Sequence, residues 1–307
     1  MNNQPNKDQV EFQKQTREVF HKIHLDQLNV PTQKARTLGL TTTRFLGVPD
    51  DFFRGKLCLE AGCGTFAPAT QNMLAGGAAK VHAVDLTDTI FQKIPEILKG
   101  EEDRYELSVG SVLDLKFPDG FFDFALCDGV LQSTGDIKRG LLELCRVVKP
   151  GGTLYFTTRG LGGLMNEIET LIRNHYEADD EWRHMIDELD AGDFEKVFTW
   201  IGQEMARHGD DFASRIPLEL FRQMFDADMV LTIKDRIQAP VYEEFAEQEA
   251  LNLLKTNGFE NIVRVAEYTK FNNARRFLAP FYLETTNKIS RMLYGEGYLQ
   301  FRADKRK

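Results

Sequence analysis

The sequence has few cysteines and tryptophans, which limits the kinds of site that it can build. Its 307 residues include four cysteines and two tryptophans. The cysteines form no CxxC pair, and no histidine is spaced to complete a zinc site with them, so we expect neither a metal centre nor a disulfide framework. Cys58 and Cys127 lie within apolar runs, which predicts buried thiols in a reducing compartment.

Long apolar runs are also missing. No stretch approaches the ~18 consecutive apolar residues that a membrane-spanning helix needs. Residues 1–9 are polar and lack the apolar segment of a secretory signal. From these two absences we expect a protein that has no membrane span and works in the cytoplasm.

Positive charge is in short supply. Lys and Arg number 38 against 47 Asp and Glu, which gives a formal net charge of −9. Proteins that hold a nucleic-acid backbone neutralise its phosphates with a cationic surface. The basic residues near the end of the sequence, within 302–307, are typical of a solvated tail. The charge balance therefore disfavours a nucleic-acid partner and favours a small-molecule substrate.

The composition is otherwise that of a globular protein, with 42% hydrophobic and 28% charged residues. From residue 56 onward, apolar strands alternate with amphipathic helices. We predict strands at residues 57–61, 80–85, 105–109, 122–127 and 153–158. Thr87 is predicted to cap the helix after the second strand, and KPGG at 149–152 to end the helix before the fifth strand. Five such alternations in about 100 residues indicate an α/β fold with a doubly wound, mainly parallel sheet.

Helical patterns flank this central region on both sides. Residues 10–28 and 32–46 precede it, and residues 162–240 are mostly helical and charged. These patterns divide the chain into an N-terminal helical cover (1–47), a Rossmann-like core (48–160), a helical insertion or lid (161–240) and a return to the core (241–307) with a helical excursion at 270–296.

The strongest motif is a glycine turn after the first predicted strand. Residues 60–65 read EAGCGT. Gly62 and Gly64 let the backbone approach a ligand and adopt conformations that are closed to other residues. Because parallel sheets bind ligands beyond the carboxyl ends of their strands, the motif predicts a ligand site at this turn.

Two classes of cofactor are compatible with the glycine turn. Gly62, Gly64 and Ala67 also satisfy the dinucleotide pattern GxGxxG/A, and Asp85 stands where either class has an acid for its ribose. Glu60 favours a cofactor other than a dinucleotide, because a carboxylate at this position repels a pyrophosphate and suits a ligand with an ammonium group. The methionine end of S-adenosylmethionine (SAM) is such a group. An NAD-linked oxidoreductase remains the alternative.

The sequence resembles the class I SAM-dependent methyltransferases, especially the branch that includes ubiquinone and menaquinone C-methyltransferases and many small-molecule enzymes. Four segments carry the resemblance, in order and with matching spacing: EAGCGT at 60–65, VD at 84–85, FPDGFFD leading into ALCDGVLQ at 117–132, and ELCRVVKPGG at 143–152. It spans about residues 50–160 and implies a strand order of 3-2-1-4-5-7-6. We place the antiparallel seventh strand at 298–303, where apolar residues follow a glycine-containing turn.

The resemblance also implies a set of SAM-binding positions, with S-adenosylhomocysteine (SAH) as the product. They are Glu60, Gly62, Cys63, Gly64, Asp85, Leu86, Ser111, Val112, Asp128 and Gly129. Glu60 would lie near the ammonium group, Asp85 would bind the ribose, and Asp128 would lie beside the sulfonium. Ser111 departs from the family, which often has an acidic residue there, at the adenine amino group.

Four polar positions are predicted to face the substrate, and surface charge or an ordinary ion pair is the alternative for the charged ones. They are Gln132, Arg159, Arg236 and Tyr242. Arg159 follows the fifth strand, where it can orient an anionic substrate. Arg236 and Tyr242 belong to a predicted polar loop that can form a lid. No general base is identified, because His82 is interpreted as a core residue and the other histidines, His24 among them, as solvated.

These observations predict a SAM-dependent methyltransferase that acts on a small molecule by direct in-line transfer from the sulfonium. The nucleophile would lie roughly 3–3.5 Å from the methyl group, with water excluded. The same motifs are also compatible with a protein or RNA methyltransferase and with a catalytically silent SAM-fold binding subunit. We further hypothesise that residues 10–46 and 162–240 together roof the space near Asp128 and Gln132.

Overall fold

One seven-stranded sheet organises the described part of this computed structural model, which comprises residues 7–210, 215, 217–267 and 273–307. The strands are β1 (Leu57–Ala61), β2 (Lys80–Asp85), β3 (Tyr105–Val109), β4 (Phe122–Cys127), β5 (Val148–Arg159), β6 (Phe259–Arg264) and β7 (Tyr298–Lys305). They lie in the order β3-β2-β1-β4-β5-β7-β6, and β7 runs antiparallel to both of its neighbours. The predicted strand order and the antiparallel seventh strand are confirmed.

Fourteen α-helices accompany the sheet in the described residues. They are α1 (Lys7–Gln27), α2 (Pro31–Leu40), α3 (Thr43–Leu46), α4 (Pro68–Ala75), α5 (Ile90–Ile97), α6 (Ile137–Val147), α7 (Leu164–Ala178), α8 (Asp180–Glu188), α9 (Ala191–Arg207), α10 (Leu218–Met224), α11 (Ala227–Gln238), α12 (Glu247–Thr256), α13 (Arg275–Leu283) and α14 (Lys288–Tyr294). None of these helices is both long and apolar enough to cross a membrane.

The central strands β1, β2 and β4 are buried on both faces of the sheet, since successive residues, which point to opposite sides, are buried alike. In β1, Cys58 packs in a cluster with Phe53 and Phe124, whereas Leu59 packs in a second cluster with Phe301. Each fully buried Leu or Phe side chain contributes roughly 1.5–3 kcal/mol to stability. Two-sided burial explains why apolar residues occupy successive positions in these central strands rather than alternate ones.

The boundary between α6 and β5 differs from the prediction. Residues 149–152 (KPGG) were expected to separate the helix from the strand, but β5 begins at Val148, directly after α6. Val148 pairs with Phe122 across an irregular register. Gly151 has a φ of 77°, which favours glycine, so the segment turns within the sheet instead of interrupting it.

The predicted helix cap after β2 is wrong. Thr87 was expected to cap the following helix, but α5 begins at Ile90 with Thr89 at its N-cap position. The Thr87 hydroxyl instead donates a hydrogen bond to Asp85 Oδ1. Thr87 therefore lies three residues before the helix, and its side chain contacts Asp85 in the loop after β2.

The polar loop predicted between residues 234 and 242 is wrong for residues 234–238, because these residues form the end of α11. The Asp226 side chain accepts a hydrogen bond from the backbone N–H of Met229 and so caps the first turn. Val230 and Ile237, seven positions apart, are buried on one side of the helix. Arg236 therefore projects from a helix rather than from a mobile lid, and Tyr242 lies in the connection between α11 and α12.

Candidate functional site

A cavity of about 690 Å³ opens beyond the carboxyl ends of the five parallel strands β1 to β5, which are called the sheet edge below. Every position predicted to contact cofactor or substrate lines it: Glu60, Gly62, Cys63, Gly64, Asp85, Leu86, Ser111, Val112, Asp128, Gly129, Gln132, Arg159, Arg236 and Tyr242. The sheet edge thus brings together residues from five strand ends and from the later helices, as expected for ligand sites in parallel sheets.

The glycine turn between β1 and α4 requires both of its glycines. Gly62 and Gly64 have φ values of 80° and 56°, in the left-handed region. A Cβ atom on Gly62 would lie 2.1 Å from a methyl carbon of Val130, whereas a Cβ on Gly64 would meet only His24 Nε2, at 3.9 Å. Gly62 therefore permits close packing against the loop after β4, and Gly64 presents an open backbone face to the cavity.

Glu60 stabilises the start of the helix that follows this turn. Its Oε1 accepts a hydrogen bond from the Ala69 N–H at 3.0 Å, and its Oε2 accepts from the Thr70 N–H and hydroxyl at 2.7 and 2.6 Å. Burial raises the pKa of Glu60 to about 7, although the hydrogen bonds from Thr70 and Ala69 oppose this rise. The carboxylate caps the first turn of α4, and Oε1 retains acceptor capacity for a cationic ligand.

Asp85 holds the next loop in place. Its Oδ2 accepts a hydrogen bond from the Gly64 N–H at 2.9 Å, and its Oδ1 accepts from the Thr87 N–H and hydroxyl at 3.0 and 3.1 Å. One carboxylate therefore joins the glycine turn to the loop after β2. Because these hydrogen bonds hold the Asp85 carboxylate in place, they also fix where a ribose hydroxyl would have to lie to donate a hydrogen bond to it.

His24 was predicted to be solvated, and that prediction is wrong. The side chain projects from α1 into the cavity, where Nδ1 lies 2.9 Å from Thr87 Oγ1 and 3.1 Å from Thr89 Oγ1. Burial lowers the pKa of His24, against the opposing influence of Asp85. No local pattern links His24 to β2, so sequence reasoning had no signal for this contact.

A chain of hydrogen bonds runs from Asp128 to the cavity surface. Thr157 Oγ1 donates to Asp128 Oδ1 at 2.7 Å and accepts from the Gly129 N–H at 2.8 Å. The Tyr298 hydroxyl lies 2.9 Å from Thr157 Oγ1. Because Thr157 has one hydroxyl hydrogen and gives it to Asp128, Tyr298 must donate to Thr157. The oxygen lone pairs of Tyr298 then remain available to the cavity, which this residue lines.

Two of the four predicted substrate positions, Arg159 and Arg236, meet on Glu169, a residue that the sequence did not single out. Arg159 Nη2 lies 2.9 Å from Glu169 Oε2, and Arg236 Nη1 lies 2.9 Å from Glu169 Oε1. The Arg159 guanidinium also lies over the Tyr242 ring, 4.8 Å from its centroid. Gln132 donates to the Gly129 carbonyl at 2.8 Å, and its buried Oε1 has no partner among the described residues.

Both helical segments contribute to the cavity wall. Phe12 and Phe20 of α1, Ile172 of α7 and Ile233 of α11 line it together with the sheet-edge residues. His82 lies elsewhere, packed edge-on against rings that include Phe122, as the interpretation of a core histidine predicted.

The acceptors at the sheet edge fit SAM. Glu60, Asp85 and Asp128 line the same cavity as the open backbone of Gly64. Carboxylates attract the ammonium and sulfonium charges of SAM and accept hydrogen bonds from ribose hydroxyls, whereas they repel a pyrophosphate. Burial raises the pKa of Asp128 too, so a cation bound nearby would stabilise its ionised form.

Comparison with known sequences gives the same assignment for the central segment. Residues 59–156 match the family described as "Methyltransferase domain". A demethylmenaquinone methyltransferase from Desulfitobacterium hafniense is 32% identical over 101 residues, which is 32% of this chain and 40% of that protein. A malonyl-[acyl-carrier protein] O-methyltransferase from Serratia marcescens is 28% identical over 110 residues, which is 36% of this chain and 41% of that protein. The matches thus span about two fifths of these relatives.

A solved structure resembles the chain over its whole length. The 1,6-didemethyltoxoflavin-N1-methyltransferase from Burkholderia thailandensis, solved with bound 1,6-didemethyltoxoflavin and SAH, superposes with a TM-score of 0.50 at 16% sequence identity. The superposition covers 100% of this chain and 94% of that one. At this identity, the likeness establishes the fold.

Proposed function

We propose that this protein transfers the methyl group of SAM to a small molecule bound in the cavity. Its central segment belongs to the class I SAM-dependent methyltransferase superfamily. The observation that carries the proposal is that the predicted cofactor positions and substrate positions line one continuous space. Bound SAM supplies a methyl group on a sulfonium that is already primed for displacement. The protein then has to orient the acceptor and exclude water.

The residues at the sheet edge have distinct proposed roles toward the cofactor. Glu60 Oε1 receives the ammonium group, and Asp85 accepts from the ribose while it holds the Gly64 backbone in place. The adenine lies near Leu86, Ser111 and Val112. The Ser111 hydroxyl accepts a hydrogen bond from the Leu113 N–H at 3.2 Å and keeps its own hydrogen to donate.

Enclosure of the cavity supports a small acceptor. Side chains of α1, α2, α7 and α11 line it on the side away from the sheet. A polymer would need an open groove, whereas a cavity with helical walls suits a compact molecule. The relatives named for demethylmenaquinone and malonyl-[acyl-carrier protein] further support methylation outside nucleic acids.

A proton that the acceptor loses has a proposed route through Tyr298 and Thr157 to Asp128. The acceptor gives its proton to the Tyr298 oxygen, Tyr298 passes its own proton to Thr157, and Thr157 passes its proton to Asp128 Oδ1. Burial raises the pKa of Asp128, which helps the carboxylate to take the proton.

The proposal is tested in two steps. Calorimetric titration of the purified protein with SAM and with SAH should give micromolar-class affinity, about −8 kcal/mol. Incubation with methyl-labelled SAM and a low-molecular-mass metabolite extract should then give a labelled product and SAH. Folded wild-type protein that binds neither SAM nor SAH would overturn the proposal, and labelling confined to added protein or RNA would overturn the small-molecule assignment.

A further inference from the structure

The end of the cavity beyond the sheet edge contains two guanidinium groups that share one carboxylate. Arg159 and Arg236 each contact a different oxygen of Glu169, both at 2.9 Å. Arg159 comes from the end of β5, Glu169 from α7 and Arg236 from α11, so three separate elements converge there. Two cations and one anion leave this group with a net positive charge.

Arg159 has donor capacity that its protein neighbours do not fill. The residue is 6% exposed, and its buried Nη2 has no hydrogen-bond partner of suitable geometry among the described residues, despite its proximity to Glu169. Tyr242 covers one face of the guanidinium at 4.8 Å. A buried guanidinium with five N–H donors is costly unless acceptors meet it, and this one lines the cavity.

A second pair of arginines lies on the same cavity and is balanced by carboxylates of its own. Arg36 Nε lies 3.1 Å from Asp228 Oδ2, and Arg275 Nη1 lies 2.5 Å from the same oxygen. Both arginines line the cavity, together with Asp235. Asp228 and Asp235 offset these two arginines, and Glu267 also lines the cavity, so the excess positive charge belongs to the group formed by Arg159, Arg236 and Glu169.

Apolar side chains surround the rest of this space. They are Met165, Ile168 and Ile172 of α7, Met229 and Ile233 of α11, and Leu278 of α13. Such a lining favours an acceptor with an aromatic or aliphatic body, because transfer of apolar surface from water into this space is favourable.

We propose that the methyl acceptor is an acid with an apolar body, whose carboxylate or phosphate group binds Arg159 and Arg236. This inference rests on the proposed methyl transfer. Guanidinium forks match the planar oxygens of a carboxylate and the oxygens of a phosphate. Glu169 holds both arginines in position and is the internal competitor of the bound acid. An amine at the same place would meet two like charges and is rejected.

The first test uses matched probes on protein saturated with SAH. Phenylacetate and phenyl phosphate are compared with the neutral 2-phenylethanol and the cationic 2-phenylethylamine, which share the aromatic body. Ligand-detected NMR and calorimetry measure each affinity. We expect binding of one or both acids to be at least about ten times tighter than that of the alcohol or the amine. The better acid shows whether the natural group resembles a carboxylate or a phosphate.

Variants of the two arginines provide the second test. Arg159→Gln and Arg236→Gln should each weaken binding of the acid at least about tenfold and leave SAH affinity unchanged, since SAH occupies the sheet edge. Arg159→Lys keeps the positive charge but lacks the forked guanidinium, so it should weaken acid binding less than Arg159→Gln does. Arg222→Gln is the matched control, because Arg222 pairs with Glu195 at 2.6 Å and projects from α10; its acid affinity should equal that of the wild type.

Glu169→Gln gives a change of opposite sign. Removing the competing negative charge should tighten acid binding several-fold, whereas a purely structural role for Glu169 would loosen it. Equal affinity for acid, alcohol and amine, or acid binding that survives both Arg→Gln substitutions, would overturn the inference. SAH is titrated on every sample, so the two proposals can fail separately. A protein that prefers the acids but does not bind SAH would contradict the proposed methyl transfer and would leave the acid site supported.

Discussion

The Nδ1 atom of His24 lies 3.9 Å from a carboxylate oxygen of Asp85, and both side chains are less than a tenth exposed. The same nitrogen contacts the hydroxyls of Thr87 and Thr89, and the Thr65 hydroxyl donates to the His24 carbonyl at 3.2 Å. The first helix is therefore attached to both loops that carry the proposed cofactor residues.

Asp85→Ala should weaken SAM binding by roughly 1.5–3 kcal/mol, the scale of hydrogen bonds to a charged group. The substitution removes the proposed ribose acceptor and also releases the Gly64 N–H and the Thr87 hydroxyl. Calorimetry measures the change. Asp88→Ala is the control, because Asp88 is 74% exposed and lies just beyond the same loop. Unchanged affinity in folded Asp85→Ala protein would contradict the assignment.

SAM binding should strengthen as the pH rises through the pKa of Glu60, which burial raises to about 7. Below that pH the carboxyl group is protonated in the free protein and has to lose its proton before it can hold an ammonium group. Binding near pH 7 should therefore release a proton, as linkage requires. Calorimetry in buffers of different ionisation enthalpy measures this release. Glu60→Gln should abolish the pH dependence, and a wild-type protein that releases no proton would argue against this role.

Tyr298→Phe should lower kcat about 100-fold for an acceptor that loses a proton, the usual scale for general acid–base catalysis. The phenyl ring keeps the packing, so SAM affinity should stay the same. SAH formation with the acceptor identified by methyl labelling gives the rate. Tyr176→Phe is a suitable control, since the Tyr176 hydroxyl hydrogen-bonds Asp187 at 2.9 Å, away from the proposed relay. An undiminished rate with an oxygen or nitrogen acceptor would remove Tyr298 from the proton route.

Removal of residues 1–29 tests whether α1 helps to roof the cavity. A longer deletion, to residue 46, would also remove Phe45 and Leu46, which are buried in the core, and would confuse the result. We expect the shorter variant to stay folded, to bind SAH more weakly because His24 is lost, and to lose methyl transfer because water enters. Turnover at the wild-type rate with unchanged substrate selectivity would return α1 to a purely structural role.

Local patterns in the sequence were sufficient for the sheet and the glycine turn. Strand β1 and Gly62–Gly64 were predictable because an apolar run followed by glycines leaves few backbone alternatives. Arg159 was predictable because it follows a strand whose end had already been placed at the ligand edge. In each case the signal lies within a few residues of the feature that it predicts.

Other features depend on contacts between distant segments. His24 and Tyr298 reach the cavity from opposite ends of the sequence, and no short-range pattern marks either of them. The interpretation of α11 as partly loop failed for a different reason. Arg236 and Asp235 face an internal cavity, so the usual separation of an apolar inner face from a polar outer face does not hold there.

The position of β7 between β5 and β6 has a consequence for synthesis of the chain on the ribosome. β5 pairs with β7 from Thr153↔Asp304 to Arg159↔Tyr298, so this edge of β5 stays bare until residues 298–305 have been translated. Until then the nascent polypeptide exposes one edge of β5, which includes Leu154 and Phe156 and is the kind of edge that can pair with other chains. Tyr298, which lines the cavity, therefore reaches its place only when this last pairing forms.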